Sequence, residues 1–245
     1  ERYGDLGMSH YRCTVDTLDD YLRICRLFNG CVSPEQASVE DLLDKLKQVS
    51  PEVIVQKPAS KFVLGAAQFG FAYGIANTVG QPEKHQVKTL VQVAIANGVK
   101  YLDTARAYGN SEQVLGGALA AGWNSQVTVI TKLSPLDDCP IDASASIVRS
   151  YVEQSVYKSC NALRVKSLDV LMVHRARHIT DRDGSIWNAL LDLKQAGVIG
   201  RLGVSVQTPE EALDALGANA VEFIQLPFNI LDYRWDGVIE IISQV

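Results

Sequence analysis

The 245-residue sequence predicts an α/β fold: an incomplete (β/α)8 barrel of the TIM type, with about six β-α units and a small helical N-terminal extension. Three observations carry that prediction. From residue 62 onward, short apolar runs alternate with longer helical patterns. The runs are apolar throughout, as expected when both faces of a parallel sheet are covered. Polar residues also recur where the runs end, at Gln68, Asp103, Lys132, His174, Ser205 and Gln225. In a barrel those ends open into one mouth, where active sites are built.

The elements follow in order. "FVLGAAQF" reads as a strand and "PEKHQVKTLVQVAIANG" as a helix, with Pro82 near its start and Gly98 just past its end. "VKYLDTA" is a strand, and "NSEQVLGGALAAG" a helix capped by Asn110 or Ser111. "VTVITKL" precedes the long helix "DASASIVRSYVEQSVYKSCNAL", and "SLDVLMVH" precedes "SIWNALLDLKQAG", closed by Gly197. "RLGVSV" leads to "TPEEALDALG", with Thr208 as cap and Pro209 at the first helical position; "VEFIQLPF" leads to "WDGVIEIISQV". An open doubly wound sheet is the competing architecture. It usually carries G-x-G-x-x-G after its first strand, and "GFAYGIANTVG" does not match.

Residues 1–50 have a different texture. "TVDTLDDYLRICRLF" places Tyr21, Leu22, Ile24, Cys25 and Leu27 on one helical face, and "SVEDLLDKLKQV" is a second short helix with Ser38 as cap. "SPEVIVQKPASK", bracketed by Pro51 and Pro58, is read as a linker. The expected organisation is a helical remnant at 1–50, a linker at 51–60 and the barrel at 61–245.

Composition narrows the function classes. Apolar residues make up 47% and the net charge is −5, with no window concentrating Lys and Arg, so nucleic-acid and anionic-membrane partners are disfavoured. No apolar run reaches the roughly 20 residues of a membrane helix. Five cysteines, at 13, 25, 31, 139 and 160, show no C-x-x-C spacing, which favours free thiols in a reducing cytoplasm. The histidines at 10, 85, 174 and 178 show no metal-ligand spacing, and no metal is expected.

Asp103 ends the second strand, Tyr108 sits on the loop after it, Lys132 ends the third strand and His174 the fourth. With neighbouring strands about 4.8 Å apart, the four side chains can converge. A phenol is a poor acid at neutral pH, and an adjacent ammonium group is expected to lower its pKa. Asp103 would hold the lysine charged, and His174 would hydrogen-bond a substrate oxygen. Such a group protonates a carbonyl oxygen while hydride reaches the carbon. Singly, each residue has a plainer explanation: a surface tyrosine, a turn-capping aspartate, a solvated lysine, a satisfied core histidine. Two other readings remain open at this point: a Schiff-base lysine aldolase using Lys132, and a non-catalytic barrel that binds a nucleotide cofactor.

"YLDTARAYGNSEQVLG", "TKL" and "LMVHRA" resemble the aldo-keto reductase signatures D-T-A-x-x-Y-G, strand-three lysine and strand-four histidine. "LGAAQFGFAYGIAN", "AGVIGRLGVSV" and "EFIQLPFNILD" are similar to the first, fifth and sixth strands of a bacterial branch often found near surface-sugar biosynthesis. The resemblance runs from about residue 61 to the end. It implies a TIM barrel that binds NADPH or NADH without a Rossmann motif and reduces a small-molecule carbonyl. It implies Tyr108 as proton donor, Lys132 and Asp103 as its partners, His174 orienting the carbonyl, and Ser205 and Gln225 on the nicotinamide carboxamide. Gly65 and Asp103 belong to the cofactor site on the same ground. Val206 departs from the family's usual Asn after the strand-five Ser. The family's strands seven and eight lie beyond Val245, so a truncated chain with exposed sheet edges and weakened cofactor binding is expected. "YRCTVDTLDDYLRICRLF" with "SVEDLLDKLKQ" resembles the tail of a sugar cytidylyltransferase of the spore-coat or acylneuraminate type, with Asp16 at a family aspartate near its metal. That resemblance implies a fusion protein in modified-sugar synthesis.

Overall fold

The computed structural model describes residues 62–74, 77–229, 232–242 and 244, and the isolated positions 28, 38, 41 and 45. Six strands form one parallel sheet in sequence order: β1 (Val63–Gly65), β2 (Tyr101–Asp103), β3 (Thr128–Lys132), β4 (Leu168–Val173), β5 (Ile199–Ser205) and β6 (Val221–Gln225). Between and after the strands lie the α-helices α1 (Ala67–Gly70), α2 (Lys84–Ala96), α3 (Ser111–Ala118), α4 (Ala145–Leu163), α5 (Ser185–Gln195), α6 (Pro209–Leu216) and α7 (Asp236–Ile242). This is the expected incomplete (β/α)8 barrel.

Register shows why every strand ends usefully. Paired residues of parallel neighbours share a face, and side chains alternate between faces along each strand. Gly65 pairs with Asp103, Lys132 with Met172, Met172 with Gly203, Gly203 with Phe223, and Ser205 with Gln225. One face therefore carries Gly65, Asp103, Lys132, His174, Ser205 and Gln225 toward the C-terminal ends. Deeper on that face, Ile130, Val170 and Met172 pack with Tyr101 and Phe223. Leu102, Val129, Leu171, Val173, Leu202 and Val204 point the other way, into the main core with Val91, Leu115, Val152 and Leu190 from the helices.

Three local expectations need correction. "FVLGAAQF" is not one strand: β1 stops at Gly65, and Ala67–Gly70 is helical. Ala66 and Phe69, three apart, are both buried, which is helix spacing. Gln68 is therefore on a helix, with its Nε2 donating to Tyr73 O, and is not a strand end. Asn110 occupies the cap position of α3 without a side-chain capping bond; its Oδ1 accepts instead from Gln81 Nε2 at 2.9 Å. Thr208 does cap α6, its Oγ1 accepting from Glu211 N, with Pro209 following. The first expected N-terminal helix face and the linker at 51–60 lie outside the described residues. Ser38, Asp41 and Lys45 of the second are described: Asp41 N donates to Ser38 Oγ, the cap bond expected there.

Candidate active site

Lys132 ends β3 with only 1% of its side chain exposed. Its Nζ donates to Asp103 Oδ1 at 2.6 Å and to Thr104 O at 3.1 Å, so the ion pair joins β2 to β3 across the mouth. Burial pulls the Lys132 pKa below the ordinary lysine value, and the Asp103 carboxylate works against that shift through charge and hydrogen bond. The Lys132 Nζ lies 5.2 Å from the centre of the Tyr108 ring. Tyr108 meets His174 edge-on, with ring centroids 5.8 Å apart. The four residues that the sequence singles out are thus brought together at one rim.

The electrostatics differ from expectation. The Tyr108 pKa is raised, first by burial, then by the Asp103 and Tyr73 charges. The reason is geometric: Lys132 gives its hydrogen bonds to Asp103 and Thr104 and approaches Tyr108 at the ring, while its charge is balanced by Asp103. The phenol therefore keeps its proton at neutral pH. The His174 pKa is lowered, by burial and then by the Lys132 ammonium, and its Nδ1 is buried with no hydrogen-bond partner among the described residues. His174 is neutral at physiological pH.

The loop that presents Tyr108 is held by backbone. Tyr108 N donates to Ala105 O, Ser111 N to Tyr108 O, and Arg106 N to Lys132 O. Two glycines let it seat: a Cβ on Gly70 would lie 1.7 Å from Tyr108 O, and one on Gly109, at φ +54°, would lie 2.5 Å from Gly70 O. Beneath it, Ser111 Oγ donates to Ala66 O at 2.7 Å and meets Thr104 Oγ1 at 2.9 Å. Phe71 contacts both Tyr73 and Tyr108 edge-on, which puts the loop after β1 beside the phenol. Gly70, Gly109, Phe71 and Tyr73 carry no role that the sequence alone assigns. The glycines of "FGFAYG" and "YGN" are the available signal, but only the fold shows that they touch.

The positions expected to hold a cofactor share the mouth-facing side of the sheet. Ser205 and Gln225 are register partners on the mouth-facing side, offering a hydroxyl and an amide side by side. Among the described residues nothing lies within 4 Å of a Cβ built on Gly65, beside Asp103.

The aldo/keto reductase family model matches residues 61–244. D-arabinose 1-dehydrogenase of Saccharomyces cerevisiae is 29% identical over 153 residues, 60% of this chain and 42% of that protein. The 6-dehydroglucose reductase of Novosphingobium aromaticivorans is 30% identical over 132 residues, 50% of this chain and 42% of that one. Among solved structures, a candidate aldo-keto reductase from Pseudomonas aeruginosa superposes with a TM-score of 0.63 at 26% identity, covering 76% of this chain and 70% of its own. The chain spans about half the length of the curated relatives it matches.

Proposed function

We propose that this chain, which belongs to the aldo/keto reductase family, carries the proton-transfer machinery of an NAD(P)H-dependent carbonyl reductase with Tyr108 as the acid. The observation that carries the reading is the convergence of the Lys132–Asp103 pair, the Tyr108 ring and the His174 ring at one rim. A reduced nicotinamide, when bound, supplies hydride to the carbonyl carbon. Ser205 and Gln225 would hold its carboxamide, with Gly65 and Asp103 beside it. Neutral His174 orients the substrate through a ring N–H directed at the carbonyl oxygen. Tyr108 Oη gives its proton to that oxygen as the alkoxide forms, leaving a phenolate near the Lys132 ammonium. Lys132 thus acts on the product state, stabilising charge as it develops, rather than by ionising the resting phenol.

The substrate class proposed is a sugar or sugar-derived aldehyde or ketone, supported by the sugar names of the yeast and Novosphingobium relatives. A setting in surface-polysaccharide synthesis rests on the resemblance of residues 1–50 to a cytidylyltransferase tail, and the division at 51–60 goes with it. Buried unpaired Cys139 and Cys160 suit a reducing cytoplasm. The test is carbonyl-dependent oxidation of NADPH and NADH by the full-length protein, with aldoses and oxo-sugars as substrates. Turnover with a subset of these is expected. Absence of oxidation with every carbonyl, together with borohydride trapping of a substrate on Lys132, would replace this reading with the aldolase.

A further inference from the structure

Glu112 is 2% exposed, yet it lies outside the mouth. It sits in the first turn of α3, where a carboxylate suits the helix dipole. Its Oε2 accepts from Arg106 Nη1 at 2.6 Å, and its Oε1 accepts from Thr131 Oγ1 at 2.6 Å. Thr131 immediately precedes Lys132 on β3, and its side chain points to the opposite face of the sheet. Arg106 is two residues before Tyr108, and its backbone N–H donates to Lys132 O at 3.2 Å. One carboxylate therefore grips the neighbour of the proposed acid and the neighbour of its lysine, from behind the sheet.

We propose that the Arg106–Glu112–Thr131 chain is a positioning device that fixes Tyr108 against Lys132 without touching substrate or cofactor. The inference rests on the reading of Tyr108 as proton donor. A buried ion pair adds little stability over an apolar replacement of the same shape, so its worth here lies in geometry. Both carboxylate oxygens are engaged at short distance, and the two donors belong to the two segments whose spacing the proton transfer needs. Misplacing an acid by about 1 Å costs on the order of 100-fold in rate.

The experiment uses the full-length protein and the variants Glu112→Gln, Thr131→Val and Thr131→Ser, with two readouts. Backbone amide exchange is measured at Tyr108 and Ser111, with the amides of α5 as internal reference. Single-turnover reduction and steady-state kinetics are measured alongside. Glu112→Gln and Thr131→Val are expected to raise exchange at the two loop amides about tenfold or more, leaving α5 unchanged. They should lower kcat about 10- to 100-fold with KM nearly constant. Thr131→Ser, which keeps the hydroxyl, should restore both readouts. Should Glu112→Gln fail to fold, the Thr131 pair decides alone. Unchanged loop exchange, or an unchanged kcat where wild-type turnover depends on Tyr108, overturns the proposal. If Tyr108→Phe instead matches the wild type, the donor reading falls, and the exchange data report separately on whether Glu112 holds the loop.

Discussion

At the residue scale, burial acts on Tyr108 and Lys132 in directions that keep the proton on the phenol: it raises the tyrosine pKa and lowers the lysine pKa. The raised phenol pKa fixes the sign of a pH effect. Reduction needs the protonated form, so kcat/KM for reduction should hold flat through neutrality and fall only above the ordinary phenol value of about 10. Alcohol oxidation needs the phenolate and should rise over the same alkaline range. Parallel pH–rate profiles in both directions check this, and an alkaline limb of reduction below pH ~9 would contradict it. His178 makes a separate statement about stability. It is buried, its Nδ1 has no hydrogen-bond partner among the described residues, and burial takes its pKa down to about 4. Asp181 and Asp137 oppose that shift, while Arg175 and Arg177 add to it. Its folded pKa lies below its unfolded one. Stability is therefore whole above about pH 6.5 and drains as pH falls toward 4, by at most about 3 kcal/mol. The urea midpoint of the wild type should fall further between pH ~7 and pH ~4.5 than that of His178→Gln, and equal falls would contradict this.

At the scale of elements, the strands were legible because helices cover one side and an apolar interior the other, leaving runs that need no polar alternation. Polar residues at five of the six run ends were legible for the same reason, since a polar side chain at a strand end can face the mouth; Gln68, on a helix, is the exception. The first strand was over-read because its apolar tail, Ala66 and Phe69, belongs to a helical turn. Asp103, Lys132 and His174 could be placed by counting along strands, whereas Tyr108 depended on a loop. That loop is shaped by Gly70 and Gly109, far apart in sequence and in contact only once β1 and β2 pair. The Glu112 network is illegible for a similar reason: Arg106 and Glu112 meet Thr131 only once β3 is in place. Gly70→Ala tests the docking. Its Cβ would collide with Tyr108 O and C and Ser111 N, all backbone. The loop must move, at a cost of about 1–3 kcal/mol in stability and on the order of 100-fold in kcat/KM. Thermal melts and steady-state kinetics check both; wild-type behaviour would show that the loop yields freely.

At the scale of the molecule, β1 and β6 each have one strand neighbour among the described residues, and a sheet's outer strands are where association starts. Phe62 and Val63 stand exposed at one edge and Phe228 just beyond the other. A polypeptide of these 245 residues expressed by itself should self-associate beside β6, and Phe228→Lys should reduce the effect. Sedimentation velocity distinguishes this from a stable monomer, which would mean that the edges are protected. The family signal was readable because its motifs fall at successive strand ends, where the barrel demands them in order. The resistance of Tyr108 to ionisation was not readable, because it depends on how much water reaches the ring and on where the Lys132 ammonium points.

The proton donor is the centre of the account, and single-turnover hydride transfer tests it most directly. Full-length wild type and Tyr108→Phe are mixed with reduced cofactor and a turned-over carbonyl, and loss of reduced nicotinamide is followed in the first turnover. Removing a general acid should slow that step about 10²- to 10⁴-fold, with cofactor affinity unchanged. Equal first-turnover rates in the two proteins would contradict it.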